Sequence, residues 1–240
     1  MKKIFVLCIF LSLEFVAISQ VSHDLWNNLL KQHVSSEGLV DYKSLIKDSL
    51  ILNQYLNQLE RSYPQASWSD NEVKAFWINA YNAYTVKLIT LHYPVKGIKE
   101  IGGSIPFVNS TWDIKFIKIN GDMKDLNNIE HGILRKKFND PRIHMALVCA
   151  SKSCPILRKE AYTGERLNEQ LDDQARNFLK NSFRNKITSS NAQISMLFKW
   201  YKGDFRKMGG VKSFINKYSV VKITDNTKIS HLKYDWNLNE

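Results

Sequence analysis

The first part of the chain follows a helical pattern of apolar and polar positions. From His23 to Val34, apolar residues recur every three or four positions, and Gly38 ends the pattern. A second helix is predicted from Ser44 to Glu60, again with one apolar face, and Pro64 lies beyond it. The pattern therefore predicts two amphipathic helices before the middle of the chain.

The third predicted helix is apolar on nearly all sides. It begins at the capping-box sequence Ser69-Asp-Asn-Glu72, in which each of the two end side chains satisfies a free backbone NH. It runs to about His92 and ends before Pro94. Its segment from Ala75 to Tyr84 is apolar or aromatic nearly all round, which is typical of a helix buried inside a domain.

Two asparagines interrupt this apolar segment. Asn79 and Asn82 lie on one stripe of the helix together with Glu72. A buried amide costs free energy unless it is hydrogen-bonded, so each asparagine needs a partner. Either they tie down the backbone of neighbouring loops, or they line a pocket and orient a substrate or a histidine.

The middle of the chain changes from helices to a loop and a hairpin. Residues 95–112 contain three glycines and Pro106, and a loop of this length inside a domain is often a lid or a binding wall. The segment from Ile114 to Ile119, followed by Asn120-Gly121, predicts a β-hairpin with a type I′ turn.

A helix predicted from Asn127 to Phe138 carries three candidate site residues. Glu130 and His131 are adjacent, so in an α-helix they diverge by about 100° and are expected not to share a face. His131 lies one turn from Arg135.

The second half of the chain predicts short elements of both kinds. Asp140-Pro141 breaks the chain, and the apolar run from Ile143 to Cys149 predicts a buried strand. The later predictions are a helix from Thr163, short strands within 186–194, a brief helix from Ser195 to Tyr201, a helix from Val211 to Tyr218 and a strand-like segment from Ile229 to Trp236. We therefore predict one α+β domain, residues 20–240, mainly helical with a small and mostly antiparallel sheet.

The N-terminus has the features of a secretory signal peptide. Met1-Lys-Lys precedes an apolar run from Ile4 to Ile18, and cleavage is predicted between Ser19 and Gln20. The run is too short to span a membrane and contains Glu14, so no retained span is expected. Residues 1–19 are therefore predicted to direct export to the periplasm or the extracellular space.

The charge balance gives little evidence of a specific partner. Lysine and arginine outnumber aspartate and glutamate, which gives a net charge of +11 at pH 7. The basic residues are scattered along the chain, whereas a nucleic-acid site would concentrate them or carry a known motif. We expect no nucleic-acid partner and a solvated basic surface, with anionic cell-envelope material as the candidate partner.

Cys149 and Cys154 are the cysteines that remain after export, and they dominate the candidate chemistry. A disulfide and two free thiols are both open, because a disulfide requires the intervening loop to fold back. In a strand, His144 and Cys149 would face opposite sides, which leaves Cys154 freer to pair with a histidine. A thiol nucleophile also needs a group that orients its base. The candidates for that group are Asn79, Asn82, Glu130 and Asp204.

A metal or a nucleotide cofactor is not expected. Cys149, Cys154, His131 and His144 would supply four ligands for zinc, but the second closely spaced half-site is missing. The sequence also lacks the phosphate-loop, dinucleotide, nucleophile-elbow and His-Glu-x-x-His motifs.

Six motifs, which together span nearly all of the exported chain, resemble the domain-of-unknown-function family 547. They are Ala75-Phe-Trp-Ile-Asn-Ala-Tyr-Asn-Ala83, Ile129-Glu-His131 with Leu134-Arg135, Asp140-Pro-Arg-Ile-His144, Cys149-Ala-Ser-Lys-Ser-Cys-Pro155, Trp200-Tyr-Lys-Gly-Asp-Phe205 and Tyr234-Asp-Trp-Asn-Leu-Asn239. The resemblance implies no activity. It implies that the positions to test are Asn79, Asn82, Glu130, His131, Arg135, His144, Cys149, Cys154 and Asp204.

A looser similarity concerns the fold. A buried central helix followed by a strand that opens with histidine is similar to papain-like and transglutaminase-like folds. Those enzymes place the nucleophilic cysteine at the start of the central helix, and the segment from Ser69 to Phe76 contains none. In such a fold, either a loop cysteine serves as the nucleophile or the protein is not a thiol enzyme.

Two functional hypotheses follow. The first is an exported thiol-dependent hydrolase or acyl transferase that acts on amide bonds, with Cys154 or Cys149 as nucleophile. Its base would be His144 or His131, its orienting group Asn79 or Glu130, and its substrate-binding residues Asn82, Arg135 and Asp204. The alternative is a non-catalytic exported binding or interaction domain with a structural disulfide between Cys149 and Cys154.

Overall fold

Helix α4, Asp70–His92, runs through the centre of the protein. The computed structural model describes residues 21–102 and 110–240, so the predicted signal peptide lies outside the described residues. Ser69 caps α4, because its hydroxyl accepts from the Glu72 N–H at 3.3 Å and the Glu72 carboxylate accepts from the Ser69 N–H at 2.6 Å. The helix is buried on every side from Val73 to Val86, which confirms the sequence prediction.

Three helices precede α4 and pack beside it: α1 (Asp24–His33), α2 (Tyr42–Lys47) and α3 (Ser49–Arg61). The prediction of one helix from Ser44 to Glu60 was wrong, because the chain breaks at Asp48. The carboxylate of Asp48 contacts the His33 Nε2 of α1 at 2.9 Å. This tertiary contact fixes the break, and no periodicity within the segment reports it.

The predicted hairpin is confirmed. Strands β1 (Ile117–Ile119) and β2 (Asp122–Lys124) pair in antiparallel fashion. Asn120 and Gly121 have φ values of 54° and 78°, as a type I′ turn requires. The preceding loop contains two short 3₁₀ turns, Ile98–Glu100 and Thr111–Asp113, on either side of residues outside the described part of the chain.

The predicted buried strand from Ile143 to Cys149 is not a strand. Residues Pro141–Met145 form a 3₁₀ helix, and the chain then continues without regular structure. The Asn82 amide donates to the Ala146 carbonyl at 2.9 Å and accepts from the Val148 N–H at 3.0 Å. A side chain of α4 thus supplies the hydrogen bonds that a neighbouring strand would have made. A short buried apolar run does not distinguish these two arrangements.

The remaining elements follow the sequence predictions closely. The helices are α5 (Arg135–Lys137), which extends a π-helix at Asn128–Leu134, then α6 (Leu167–Lys180), α7 (Leu197–Trp200) and α8 (Val211–Tyr218). The strands are β3 (Lys186–Ile187), β4 (Asn191–Ile194) and β5 (Lys228–His231). β4 pairs antiparallel with β3 and parallel with β5. The described residues therefore form one mainly helical α+β domain with two small sheets.

The core consists of two hydrophobic clusters. The larger surrounds α4, and the smaller lies around Phe198, Phe205 and Phe214, under α6 and α8. Cys149 and Trp236 pack against both clusters. The boundary between the clusters is therefore where the sequence-predicted thiol lies.

Among the described residues, no helix combines the length and the apolar character needed to cross a membrane.

We predict that replacing Asn79 destabilises the domain strongly. Its amide donates to the Tyr162 carbonyl at 2.7 Å and accepts from the Tyr162 N–H at 3.0 Å, and all these groups are buried. Asn79→Ala leaves two buried backbone groups without partners, so we expect a loss of about 3 kcal/mol in the free energy of unfolding. The measurement is urea denaturation followed by circular dichroism. Asn57→Ala, at an exposed position of α3, is the control and should change stability by less than about 0.5 kcal/mol. Equal effects of the two substitutions would contradict the structural role of Asn79.

Candidate active site

A cavity of about 250 Å³ opens where the two hydrophobic clusters meet. Five of the sequence-predicted site residues line it: Glu130, His131, His144, Cys149 and Cys154. Aromatic side chains form much of its wall, namely Tyr81, Trp112, Trp200, Tyr201, Tyr234 and Trp236. Ser110 and Trp112 belong to the predicted loop 95–112, so part of that loop is a wall of the cavity.

The two cysteines meet in this cavity as free thiols. Their sulfur atoms are 3.0 Å apart, and the Cys154 sulfur accepts from the Cys149 N–H at 2.8 Å. The loop between them folds back through Ala150, whose φ of 52° lies in the left-handed region. The Cys154 N–H then donates to the Ser151 carbonyl at 3.0 Å. A disulfide is therefore not required to hold the two sulfurs together.

The environments of the two thiols differ. Cys149 is half-buried and Cys154 is buried. Burial opposes ionisation of Cys149, but contacts with Cys154, with the Ser151 hydroxyl at 3.2 Å and with the Tyr234 hydroxyl at 3.3 Å together lower the pKa of its thiol. Burial, and then the neighbouring Cys149, raise the pKa of Cys154 well above its usual range. Cys149 is therefore the more reactive thiol, whereas strand alternation had favoured Cys154.

His144 is held rigidly on the other side of the cavity. Its Nε2 lies 2.8 Å from a carboxylate oxygen of Asp204, and its ring stacks on Tyr201 with centroids 3.9 Å apart. Its Nδ1 lies 4.0 Å from the Glu130 carboxylate. The imidazole is buried between two acidic groups and has one well-defined orientation.

Asp204 is fixed in turn by Arg135. The guanidinium donates to both carboxylate oxygens, at 2.6 and 2.8 Å, and its third nitrogen contacts the His131 Nδ1 at 2.9 Å. Hydrogen bonds from Arg135 and then from His144 hold the pKa of Asp204 well below its usual range. Arg135 and Asp204, predicted to bind substrate, therefore stand behind His144 and orient it.

The π-helix Asn128–Leu134 changes the expected geometry of Glu130 and His131. Both side chains line the cavity, so the prediction that they do not share a face was wrong. Hydrogen bonds of the i→i+5 type widen the turn, and such segments are common at functional sites. Glu130 is buried and accepts from the Tyr81 hydroxyl at 3.2 Å, while His131 is exposed at the cavity mouth.

The two asparagines of α4 do not line the cavity. Asn79 is bonded to the backbone of Tyr162, and Asn82 to the backbone of Ala146 and Val148. These contacts match the alternative in which the asparagines tie down loops. Asn82 still affects the site, because Val148 directly precedes Cys149.

Two contributors to the site were not predicted as functional. Tyr234 and Ser151 contact the Cys149 thiol, yet Tyr234 lies 85 positions further along the chain. Both belong to motifs that carry the family resemblance, and membership in those motifs was the available signal.

Other site chemistry is limited. Within residues 21–102 and 110–240, no hydrogen bond joins either thiol to a histidine. In the same part of the chain, no group of three or more His, Cys, Asp or Glu side chains is arranged to hold a metal ion.

Residues 65–179 match the family model described as "Protein of unknown function, DUF547". The match confirms the resemblance that the sequence motifs indicated. No curated protein and no solved structure matches the chain. The looser similarity to papain-like and transglutaminase-like folds therefore stays a prediction.

We predict that the stabilising effect of Asp204 depends on pH. Because its pKa is depressed in the folded protein, the carboxylate stabilises the fold fully above about pH 4, and this contribution is lost as the pH falls further. Asp204→Asn should lower the free energy of unfolding by about 2 kcal/mol at pH 7, and the difference from the wild type should shrink below pH 4. Urea denaturation at several pH values measures it. The exposed Asp225→Asn is the control, and a difference that does not depend on pH would contradict the prediction.

We predict that Tyr234→Phe raises the pKa of the Cys149 thiol. Burial keeps the Tyr234 hydroxyl protonated, so it donates to the thiolate, and removing it should raise the pKa by about one unit. The measurement is the pH profile of iodoacetamide alkylation at Cys149, followed by peptide mass spectrometry. Tyr63→Phe, at a partly exposed position, should leave the profile unchanged. An unshifted profile for Tyr234→Phe would show that Tyr234 does not stabilise the thiolate.

Proposed function

We propose that this chain, a member of the domain-of-unknown-function family 547, is an exported thiol-dependent hydrolase or acyl transferase that acts on amide bonds. One observation carries the proposal. A half-buried cysteine with a lowered thiol pKa, Cys149, shares a cavity with His144, whose imidazole is fixed by Asp204. An activated nucleophile, a base and a group that orients the base are the parts that covalent acyl transfer requires.

The roles follow from the environments of the groups. Cys149 is the nucleophile, because Cys154 is buried and its thiol is the harder to ionise. His144 is the general base and acid, and Asp204 with Arg135 orients its ring. Catalytic hydrogen bonds are often long until a substrate is bound, so the proposal does not need a direct bond between Cys149 and His144.

The reaction proceeds through a thioester. The Cys149 thiolate attacks the carbonyl carbon of a substrate amide, and the hydroxyls of Ser151 and Tyr234 lie where they can donate to the oxyanion. His144 gives its proton to the leaving amine, which departs and leaves an acyl group on Cys149. Water or a second amine then attacks the thioester, with His144 accepting the proton. The first acceptor gives hydrolysis and the second gives acyl transfer.

The N-terminal sequence supports the location. A positive start, a short apolar run and small residues before Gln20 favour export to the periplasm or the extracellular space. The net positive charge favours attraction to anionic cell-envelope material.

A second candidate is a non-catalytic exported binding or interaction domain, in which Cys149 and Cys154 form a structural disulfide. The short distance between the two sulfurs favours it. It differs from the first candidate in one respect that is easily measured, because a purely structural disulfide leaves no thiol to acylate.

We predict that the reduced protein is acylated by p-nitrophenyl acetate at Cys149. A burst of about one equivalent of nitrophenolate should accompany a gain of one acetyl group, located by peptide mass spectrometry. Cys149→Ser should show no burst, and His144→Ala should slow acylation by about a hundredfold or more.

The exposed His92→Ala is the matched control and should acylate at the wild-type rate. Circular dichroism checks that each variant is folded. Acetylation of a different residue, or an undiminished burst in Cys149→Ser, would rule out the proposed nucleophile.

A further inference from the structure

We propose that Cys149 and Cys154 also form a dithiol–disulfide couple, which exchanges with low-molecular-weight disulfides that enter the cavity. In this couple Cys149 attacks the incoming disulfide and Cys154 resolves the intermediate. The activity goes beyond the proposed acyl transfer, because it uses both sulfurs and requires neither His144 nor an amide substrate.

The distance between the sulfurs is the first support. At 3.0 Å, the two Sγ atoms are about 1 Å from the length of a disulfide bond. Closure therefore requires little movement of the backbone. The hydrogen bond from the Cys149 N–H to the Cys154 sulfur keeps the second thiol beside the first.

The loop between the cysteines is itself held in place. The Lys152 N–H donates to the Asn237 carbonyl at 2.9 Å, and the Ser153 hydroxyl accepts from the Asp235 N–H at 2.8 Å. On the other side, the Arg184 Nε donates to the Cys154 carbonyl at 2.5 Å. These contacts come from outside the loop, so the arrangement of the thiols is a property of the whole fold.

The two thiols differ in the way that an exchange couple needs. An attacking thiol must be reachable and ionised, and Cys149 borders the cavity with a lowered pKa. A resolving thiol must reach only the first sulfur. Cys154 is 3% exposed, so external disulfides reach Cys149 first.

The chemistry balances with a disulfide as the oxidant. The Cys149 thiolate attacks one sulfur of the small disulfide, which forms a mixed disulfide and releases the first small thiolate. Cys154 then loses its proton and attacks the Cys149 sulfur. The Cys149–Cys154 bond forms, and the second small thiolate leaves. Two electrons pass from the protein to the small disulfide, and the two protons from the cysteines pass to the released thiolates or to solvent.

The test uses the full reduced protein and the aromatic disulfide 5,5′-dithiobis(2-nitrobenzoate), which releases a coloured thiolate at each step. The wild type should release two equivalents in two phases and finish without an attached nitrobenzoate group. Trypsin cuts after Lys152, so the product should contain the peptide of Cys149 joined to the peptide of Cys154. Cys154→Ser should release one equivalent and keep the mixed disulfide on Cys149. Cys149→Ser should react at least tenfold more slowly.

A second measurement on the wild type does not depend on variants. Acid quenching after a substoichiometric pulse of the reagent should trap the mixed disulfide on Cys149 and not on Cys154. A stable mixed disulfide in the wild type, or initial attack by Cys154, would overturn the proposal. The exposed His92→Ala serves as the control for nonspecific effects.

The two proposals fail in distinguishable ways. If only acyl transfer is wrong, two equivalents are released and linked peptides form, but Cys149 is not acetylated. If only the couple is wrong, acetylation proceeds and the mixed disulfide persists.

Discussion

The fork of hydrogen bonds from Asn82 is the interaction on which the site depends. This buried side chain donates to the Ala146 carbonyl and accepts from the Val148 N–H, and so fixes a segment that has no strand partner. That segment joins His144 to Cys149, the two groups of the proposed chemistry. A buried backbone segment needs its polar groups satisfied, and here a helix side chain does what a sheet normally does. The rigidity of α4 is thereby passed to the catalytic groups.

The site is assembled from parts that are far apart in the chain. His144 is positioned by Asp204, 60 residues away, and Cys149 is tuned by Tyr234, 85 residues away. These partners come from the region of the smaller hydrophobic cluster, whereas Glu130 comes from the π-helix beside α4. The cavity therefore exists only when the two clusters are joined. A protein that positions an imidazole and two thiols in this way has the parts for nucleophilic and for redox chemistry in one place.

Sequence reasoning succeeded where local physics decides the structure. The capping box of α4, the Asn120-Gly121 turn and helix α8 are encoded by neighbouring residues, and each was predicted closely. It failed where tertiary contacts decide. The strand predicted to end at Cys149 is irregular because of Asn82, and the face shared by Glu130 and His131 depends on a π-helix. The residue types of the site could be predicted, but their pairing could not, since spacing along the chain contains no information on distant partners.

The residues near the end of the sequence complete the cavity, and this affects the order of folding. Tyr234 and Trp236 line the cavity, Asn237 binds the loop between the cysteines, and Asn239 accepts from the buried Tyr42 hydroxyl. During synthesis, the segment with both cysteines emerges about eighty residues before these partners, and domains fold progressively as they emerge. Until residues 234–239 are available, Cys149 lacks the hydroxyl of Tyr234 that helps to ionise it. The nascent chain therefore carries a less reactive thiol than the finished protein, and the cysteine gains its full reactivity only when folding is complete.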